Sequence, residues 1–497
     1  MCSSARTVSQ GTSLPEHRAH VGRYRGQLRR SLTDEVGGSP MATAAPSSTT
    51  TSNQTRPGAK RSTVSAVFGN YIEYVDFGSY GFMAAIIGAN FFPGDASAQL
   101  LSSLAVFGVT FFFRPFGGFL WGYVGDRYGR KNALVWAIAL MSLSTALIGV
   151  LPNYDAIGIA APILLVVLRS LQGVSIGGEF AGAGTFITET APSNRRGVWS
   201  SYISVSAALG TLTASTLVLV LTVSLTSAQM ASWGWRIPFL LALPIGVVAL
   251  IMRAKAVETE VFVKLREKEK APINPFKGFG KEEVKSILIV AVFASAAGLG
   301  IYYFFTYFNV FLSATVGLSS STAIGLTAIG LILYSVMCPF AGLIGDLWGR
   351  KRPFVISLIC MGLVAVPVFM LLRAGIVAAI AGLILFGLAQ SVVNVTTSVV
   401  LAEMFRARSR MSGGAIGHNI GLALVGGTGP LVAAALVSST GNPLAPGFYL
   451  GAVALLAGVI TWIFLPETGK RSMFSDESAS LKAQELELGG STTPAEA

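Results

Sequence analysis

The sequence is poor in charge and in cysteine, and each shortage excludes a class of protein. Only 12% of its 497 residues are charged, whereas 52% are apolar. A soluble protein carries roughly a quarter charged residues, so this chain has too little charge to cover a soluble fold of its size. Its three cysteines, Cys2, Cys338 and Cys360, stand far apart and indicate neither a disulfide framework nor a metal site. We therefore predict an integral membrane protein without a cofactor.

The chain also lacks the motifs of nucleotide-driven and catalytic proteins. It contains no phosphate-binding loop, no metal-ligand spacing and no Ser/His/Asp arrangement in a fitting context. These absences exclude ATP drive within this chain and predict that it is not an enzyme. The net charge of +12 does not indicate a nucleic-acid partner, because the excess lies in the leader and in short loops between apolar segments.

Twelve long apolar segments fill the chain between residues 62 and 466. A helix needs ~20 residues to cross a bilayer core of ~30 Å, so each segment predicts a membrane span. All are expected to be helical, because an open sheet would leave backbone groups unpaired in lipid. The predicted spans cover 64–91, 100–123, 131–151, 160–188, 198–222, 236–254, 286–312, 322–345, 353–372, 376–402, 413–437 and 446–465.

Lysine and arginine concentrate in the loops that follow even-numbered spans. By the positive-inside rule, both termini are then cytoplasmic, and we expect a multi-pass protein of the plasma (inner) membrane. The predicted organisation is a disordered basic leader, a first six-helix half, a cytoplasmic linker, a second six-helix half and a short cytoplasmic tail. In that order, these regions cover 1–61, 62–254, 255–285, 286–466 and 467–497.

One charged phrase occurs twice in this apolar chain. WGYVGDRYGRKN at 121–132 returns as AGLIGDLWGRKR at 341–352, with a constant offset of 220 residues. A second repeat sets Glu189 seven residues before Arg196, and Glu403 seven residues before Arg410. Phrases at equivalent places in two six-span halves indicate an internal duplication. Two pseudosymmetric halves around a midplane site are the architecture of an alternating-access transporter.

Several motifs resemble the major facilitator superfamily and, within it, the metabolite:H⁺ symporters. GYVGDRYGRK resembles the superfamily's signature loop, and LRSLQGVSIGGE at 168–179 resembles its fourth-helix motif. GNYIEYVDFGSYGF at 69–82, RPFGG at 114–118 and WGWRIPF at 233–239 are similar to the narrower family, which includes carriers for proline/betaine, 2-oxoglutarate, citrate and shikimate. The resemblance implies proton-coupled uptake of a small carboxylate-bearing metabolite. An uncoupled facilitator or a sugar-type porter is the alternative.

Charged side chains inside spans are the first candidates for this chemistry, because each costs a few kcal/mol in the bilayer unless it is paired or hydrated. Glu73 and Asp76 lie three residues apart on span 1 and face the same way. Two carboxylates so close do not both ionise easily in a dry site, so one is expected to hold a proton for coupling. In the alternative interpretation, they pair with Arg114 and only hold helices together.

Arg114 in span 2 stays charged and can bind a substrate carboxylate through two hydrogen bonds, or it can be the counter-ion of the span 1 acids. Arg169, Gln172 and Glu179 share a face of span 4, and the resemblance links the first two to coupling. Because Arg169 and Glu179 stand ~15 Å apart along the helix, each is expected to contact another helix. Both are candidates for substrate or proton roles.

The second half offers fewer charged candidates. His418 in span 11 can relay protons near neutral pH or can be a packing residue. The aromatic residues of span 7 can pack together, or they can line a cavity and hold a quaternary ammonium group. The other candidates for contact with a polar substrate are Asn70 and Tyr80 in span 1, Tyr303 and Tyr307 in span 7, and Gln390 and Asn394 in span 10.

The repeated phrases predict a cytoplasmic gate and not a substrate site. In the superfamily that they resemble, this loop biases inward-facing against outward-facing states, and carboxylates near helix N termini contribute ~0.3–1 kcal/mol each. Leu347 replaces Arg127 in the second phrase, which predicts a weaker second latch. The predicted gate residues are Asp126, Arg127, Gly129, Arg130, Lys131, Glu189, Arg196, Asp346, Gly349, Arg350, Lys351, Glu403 and Arg410.

The expected partners are a small-molecule substrate, protons and the lipid bilayer, with no nucleic acid and with the monomer as the functional unit. The second half lacks a mid-span arginine, which favours a substrate with a single carboxylate, or a zwitterion, over a tricarboxylate. The sequence leaves the identity of the substrate open.

Overall fold

The computed structural model describes residues 59–255, Glu258, Val263, residues 280–469, Arg471 and Met473. Every secondary-structure element within these residues is a helix, which confirms the all-α prediction. Most of the predicted leader, linker and tail lies outside the described residues. The helix that opens the second half begins at Lys281, inside the segment assigned to the linker.

Eleven helical segments in this part of the chain are long and apolar enough to cross a membrane, and we call them spans 2 to 12 in chain order. They cover Ala96–Tyr128, Arg130–Val150, Ala160–Thr190, Arg196–Ser224, Gly234–Ala254, Lys281–Thr315, Ser320–Trp348, Lys351–Arg373, Ile376–Glu403, Arg410–Thr440 and Ala445–Phe464. Span 1 comprises two helices, Ala59–Phe82 and Ala84–Phe91. Its longer helix starts with polar residues and carries two acids, which lowers its hydropathy below that of the others.

Besides span 1, three further spans change helix type or break within the bundle. Span 4 comprises the helices Ala160–Ile176 and Glu179–Thr190. In span 7, the helix Lys281–Tyr302 is followed by the π-helix Tyr303–Tyr307, the single turn Phe308–Val310 and the π-helix Phe311–Thr315. In span 11, the helix Arg410–Gly421 leads through the π-helix Leu422–Gly426 to the helix Gly429–Thr440. Such π-helical turns are frequent at functional sites.

Three short helical elements lie outside the long helices of the spans. The helix Tyr154–Ile157 precedes span 4, the helix Ser227–Ser232 precedes span 6, and the 3₁₀ turn Gly234–Arg236 begins span 6.

Within the first half, glycines let spans 2 and 4 pack backbone to backbone. A Cβ atom at Gly117, Gly173 or Gly177 would overlap the main chain of the facing helix. Small residues permit this close approach between membrane helices, and it brings Arg114 next to span 4.

The halves meet along two equivalent pairs of spans. Span 2 packs on span 11, and span 5 packs on span 8. The contact between spans 5 and 8 is the most extensive between any two helices of the described residues. Inside the first half, span 1 packs on span 5 and span 3 on span 6, and inside the second half, spans 10 and 12 pack on span 9. The predicted pseudosymmetric halves are thereby confirmed. We call the end formed by residues 125–131, 189–198, 345–352 and 403–412 the basic face.

Candidate functional site

Three buried ion pairs lie in a row inside the first half. Each joins a carboxylate to an arginine of another span, and each of the six side chains is at most 3% exposed. The pairs are Glu73–Arg114, Asp76–Arg169 and Glu179–Arg253. Because a buried charge is tolerated only when it is paired, each pair ties two spans together and concentrates charge in an apolar bundle.

Arg114 lies at the boundary between the halves. Its guanidinium carbon is 5.1 Å from the ring centre of Phe77 and 4.8 Å from that of Phe111. Tyr302 of span 7 packs edge-on against Phe111, with centroids 4.6 Å apart, and its hydroxyl lies near Arg114. Arg114 Nε and Glu73 Oε2 have no hydrogen-bond partner among the described residues. The pair therefore keeps binding capacity for a further group.

Asp76 is bound more completely than Glu73. It accepts a hydrogen bond from Arg169 Nη1 at 3.1 Å, and Gln172 Nε2 lies 3.2 Å from both of its carboxylate oxygens. The same amide donates to Thr145 Oγ1 at 2.6 Å, and the Arg169 guanidinium lies 3.8 Å from the Tyr80 ring centre. The interpretation in which both span 1 acids pair with Arg114 is therefore wrong for Asp76.

The hydrogen bonds found for the remaining span 1 candidates lie within the first half. Asn70 Nδ2 donates to the Ile203 carbonyl at 3.0 Å and to Ser206 Oγ at 2.9 Å. The Tyr80 hydroxyl donates to the Ser103 carbonyl at 3.0 Å. These bonds hold span 1 against spans 5 and 2, and they orient the face of span 1 that carries the acids.

Amides of span 10 separate into two environments. Asn394 Nδ2 donates to the Tyr334 hydroxyl at 3.1 Å and to Ser204 Oγ of span 5 at 3.3 Å, so it reaches the first half. Gln390 Nε2 donates to the Ala297 carbonyl at 3.0 Å, which keeps this bond within the second half. Of the two predicted amides, Asn394 is the one bonded across the boundary.

The structure does not bring Tyr303 and Tyr307 together with the arginines of the first half. Their rings pack on each other at 5.1 Å and on Phe369, and Tyr303 donates to the Pro446 carbonyl at 3.4 Å. The neighbouring Tyr302 faces the first half instead. Its ring contacts Phe77 at 6.2 Å, because one residue of offset rotates a helical side chain by ~100°.

His418 joins span 11 to span 4. Its ring lies nearly parallel to that of Phe180, with centroids 4.6 Å apart and an interplanar angle of 11°. It is buried, and its Nδ1 has no partner among the described residues. The geometry is that of a stacked residue at the boundary between the halves.

A cavity of about 320 Å³ lies at the end of the bundle opposite the basic face, lined by residues of spans 1, 2, 5, 7 and 8 and of the connection between spans 5 and 6. Close packing separates it from Arg114. A Cβ atom at Gly81 would stand 2.7 Å from Thr306 Cγ2, so spans 1 and 7 touch at this level. Two turns deeper along span 1, the rings of Tyr74 and Phe305 meet edge-on, with centroids 5.6 Å apart. The region around Arg114 is therefore closed toward this cavity.

At the basic face, each repeated aspartate contacts the other half. Asp126 Oδ2 accepts hydrogen bonds from Ser412 N at 2.9 Å and Ser412 Oγ at 2.6 Å, at the start of span 11. Asp346 accepts from Gly197 N at 2.8 Å and Val198 N at 3.0 Å, at the start of span 5. Each carboxylate thus lies at the positive end of a helix dipole that belongs to the opposite half.

Glycines of the repeated phrase allow these contacts. A Cβ atom at Gly122 would stand 2.9 Å from Ser412 Cα, and one at the equivalent Gly342 would stand 2.5 Å from the Gly197 carbonyl oxygen of span 5. Gly129 and Gly349 have φ values of +112° and +86°, a region that other residues rarely adopt. They turn the chain sharply between consecutive spans in both halves.

The second repeat forms ion pairs that cross between the halves. Glu189 accepts hydrogen bonds from Arg130 of its own half and from Arg410 Nη1 of the other half, the latter at 2.6 Å. Arg130 also donates to the Ala407 carbonyl at 3.3 Å. The glutamate therefore links an arginine from each half. The spacing of the repeated residues does not predict this pairing between the halves.

Glu403 makes the equivalent cluster, with Arg350 Nε of its own half at 3.4 Å and Arg196 Nη1 of the other half at 3.5 Å. Residues after span 12 complete it. Thr468 Oγ1 donates to Glu403 Oε2 at 2.7 Å, and the Arg471 carbonyl accepts from Arg196 at 2.7 Å. Sequence reasoning missed this segment, whose signal was the polar motif LPETGK directly after the last span.

Lys131 and Lys351 contribute backbone hydrogen bonds to the contacts at the basic face. The Lys131 N–H donates to Glu258 at 3.2 Å, and the Lys351 N–H donates to Glu467 at 3.1 Å. Each glutamate follows the last span of its half, so the duplication extends to these helix N-terminal contacts. Arg127 bonds the Tyr123 hydroxyl of its own span.

The geometry can be compared with known proteins. A family model described as Major Facilitator Superfamily matches residues 66–413 and 290–489. The chain belongs to the major facilitator superfamily. It is 34% identical over 438 residues to the proline/betaine transporter of Escherichia coli (strain K12), covering 86% of this chain and 87% of that protein. It is 35% identical over 429 residues to the glycine betaine/proline/ectoine/pipecolic acid transporter of Dickeya dadantii (strain 3937), covering 83% and 84%.

Solved structures agree in fold. The proton:xylose symporter bound to 6-bromo-6-deoxy-D-glucose superposes with a TM-score of 0.71 at 17% identity, covering 86% of this chain and 99% of that one. The Escherichia coli xylose transporter in a partially occluded inward-open conformation gives 0.67 at 17% identity, with 84% and 99% coverage. This superfamily member is therefore a multi-pass membrane transporter and not an enzyme.

Proposed function

We propose that this transporter takes up a small zwitterion with one carboxylate, of the proline or betaine type, together with protons. The observation that carries the proposal is Arg114, which is buried at the boundary of the halves, paired with Glu73 and surrounded by aromatic rings. The printed names of the relatives support the same substrate class.

In this proposal, the substrate carboxylate binds Arg114, whose planar guanidinium suits a carboxylate. The cationic nitrogen of the substrate lies against the rings of Phe77, Phe111 and Tyr302, since aromatic faces attract both ammonium and quaternary ammonium groups. Asn394 contributes a hydrogen bond from the second half. Spans 7 to 12 carry no arginine between their ends, so a second carboxylate would have no equivalent partner.

Coupling follows from competition for Arg114. When the substrate carboxylate takes the arginine, Glu73 loses its partner, and a buried carboxylate without a partner is stabilised by taking a proton. When the substrate leaves, Arg114 and Glu73 pair again and the proton is expelled. Asp76 remains bound to Arg169 and Gln172 and orients span 1. Substrate and proton therefore load and unload together.

The clusters at the basic face act as latches in the same cycle. Asp126 and Asp346 hold the helix N termini of the opposite half, and the Glu189 and Glu403 clusters hold arginines of both halves. Closing them while the other face opens gives alternating access. We take the basic face as cytoplasmic, in a plasma membrane, because it carries the positive loops. The proposed path lies between two halves of one chain, so the proposed functional unit is the monomer.

Uptake into proteoliposomes under an imposed pH gradient tests the proposal. Labelled proline and glycine betaine are compared with 2-oxoglutarate, citrate and shikimate. We expect one of the first two to accumulate, accumulation to collapse with a protonophore, and Glu73→Gln to abolish accumulation while exchange persists. Glu283→Gln is the matched control, because Glu283 is also buried and paired with an arginine, Arg406, but lies outside the row. Gradient-independent uptake would favour an uncoupled facilitator instead.

A further inference from the structure

The third ion pair of the first half, Glu179–Arg253, has no part in the coupling proposed above. It lies directly against span 1, where a Cβ atom at Gly69 would stand 2.6 Å from Glu179 Oε1 and 2.7 Å from Arg253 Cζ. Gly69 is one helical turn from Glu73 on the same face, toward the basic face. Of the three ion pairs in the row, this one therefore follows Glu73–Arg114 in the direction of the basic face.

This pair is incompletely satisfied. Arg253 Nη2 makes the contact with Glu179 and lies 3.4 Å from the Ala66 carbonyl. Glu179 Oε2, Arg253 Nε and Arg253 Nη1 have no hydrogen-bond partner among the described residues. Buried carboxylate oxygens are normally hydrogen-bonded, and both oxygens of Asp76 are, whereas Glu179 uses only one of its two. A pair held by one nitrogen and one oxygen can open at lower cost and leave an oxygen for a proton.

Glu179 is also linked mechanically to the basic face. It is the first residue of the helix Glu179–Thr190, which follows the break at residues 177–178 in span 4. Ten residues later, ~15 Å along the same helix, Glu189 is held by Arg130 and Arg410. If the helix moves as one piece when Glu189 is released, Glu179 shifts relative to Arg253.

We propose that Glu179 receives the proton from Glu73 and releases it toward the basic face, and that the helix Glu179–Thr190 links this step to the opening of the latches. The inference rests on the proton coupling proposed above. When Arg114 returns to Glu73 after substrate release, the proton moves from the Glu73 carboxyl to the Glu179 carboxylate, which leaves Arg253. Water entering the open face then takes the proton, and Glu179 pairs with Arg253 again.

The surroundings of Glu179 favour this route. The charged groups near it are Arg253 of span 6, which contacts it, and Glu73 of span 1, the partner of Arg114. His418 of span 11 stacks on Phe180, the residue next to Glu179 in the chain. Only a proton changes place in this step, and the arginines keep their charge.

The test uses the full chain in proteoliposomes with a pH-sensitive dye inside and labelled proline or glycine betaine outside, whichever the wild type accumulates. We expect Glu179→Gln to lower accumulation and substrate-driven internal acidification at least tenfold, while exchange stays within twofold of the wild type. Glu283→Gln should leave all three unchanged. Glu179→Asp keeps the acid and should restore acidification, which a loss of packing would not explain.

The possible failures are distinguishable. A wild type that transports without acidification contradicts the proposed function itself. A coupled wild type with a fully coupled Glu179→Gln variant overturns the inference alone. Loss of exchange together with coupling assigns a structural role to the pair and also overturns it. If Glu179→Gln does not insert, Arg253→Lys decides the question, because the inference requires it to impair acidification more than exchange.

Discussion

The two halves are alike at the basic face and unlike in the middle. At the face, residues related by the duplication make equivalent contacts, as Asp126 and Asp346 do with opposite helix N termini. In the middle, the first half carries three ion pairs, whereas the second presents Tyr302, Tyr334 and Asn394. Symmetry is retained where the halves contact each other reciprocally, and it is lost where one half provides charge and the other provides shape and hydrogen bonds.

Removing the central charge should have the largest effect. Arg114→Gln leaves Glu73 buried without a partner, at a cost of about 3–5 kcal/mol, and removes the proposed carboxylate ligand. We expect initial uptake and exchange of the accumulated substrate to fall at least a hundredfold. Asn394→Ala in the second half should lower uptake only about tenfold, since it loses neutral hydrogen bonds. An Arg114→Gln variant with a tenth or more of wild-type uptake would contradict the view that the first half provides the essential charge.

Breaking either aspartate contact should have similar, intermediate effects. Asp126→Asn and Asp346→Asn each weaken two hydrogen bonds to the opposite half and one charge–dipole contact, about 1–2 kcal/mol, and so shift the balance toward an open basic face about five- to thirtyfold. Asp346→Asn also weakens the contact with Arg350 Nη1 at 2.8 Å, but that contact lies within the second half and does not hold the halves together. Labelling of Ser200→Cys, with the natural cysteines replaced by serine, measures this opening because Ser200 is buried in span 5. Increased labelling in only one of the two variants would show that the latches are not equivalent.

Double-mutant cycles should reveal a smaller difference, in coupling energy, between the Glu189 cluster and the Glu403 cluster. Arg410 and Glu189 are 2.6 Å apart, whereas Arg196 and Glu403 are 3.5 Å apart. We expect a coupling energy of about 1–2 kcal/mol for the first pair and less for the second, measured by the same labelling assay on single and double alanine variants. A larger value for the second pair would mean that the segment after span 12 makes the second cluster the stronger one.

The smallest effects are expected at the helix N termini of spans 3 and 9. Glu258→Gln and Glu467→Gln each remove a charge from a helix start, worth about 0.3–1 kcal/mol. The thermal midpoint should fall by no more than about 2–4 °C in either variant, while the substrate affinity stays unchanged. A larger shift for Glu467→Gln would indicate that the additional hydrogen bonds of Glu467 with Arg350 N and Gly469 N stabilise the second half.

Much of the fold could be read in advance from hydropathy, loop charge and the repeated phrase. The constant offset between Asp126 and Asp346 predicts equivalent positions, and charged residues in apolar spans have to be buried and paired. The sequence did not reveal that each aspartate bonds the opposite half. That contact requires Gly122 and Gly342 to lie against another helix, and their closeness depends on how the halves dock.

The partners within the site could not be assigned in the same way. Residue spacing placed Glu73 and Asp76 on one face, but the structure divides them between Arg114 and Arg169. Arg253 was missed because it stands at the end of span 6, where an arginine is interpreted as a loop charge. Tyr302 belongs to the aromatic stretch recognised in span 7, but Tyr303 and Tyr307 were chosen as the substrate candidates instead.

Local patterns thus determined what is buried, which end is basic and which positions repeat, because hydropathy and charge act residue by residue. The choice of partner for each acid, and the tyrosine that meets Arg114, depended on the tertiary structure. These contacts follow from the rotation and crossing of helices whose packing is decided by residues distant in the chain.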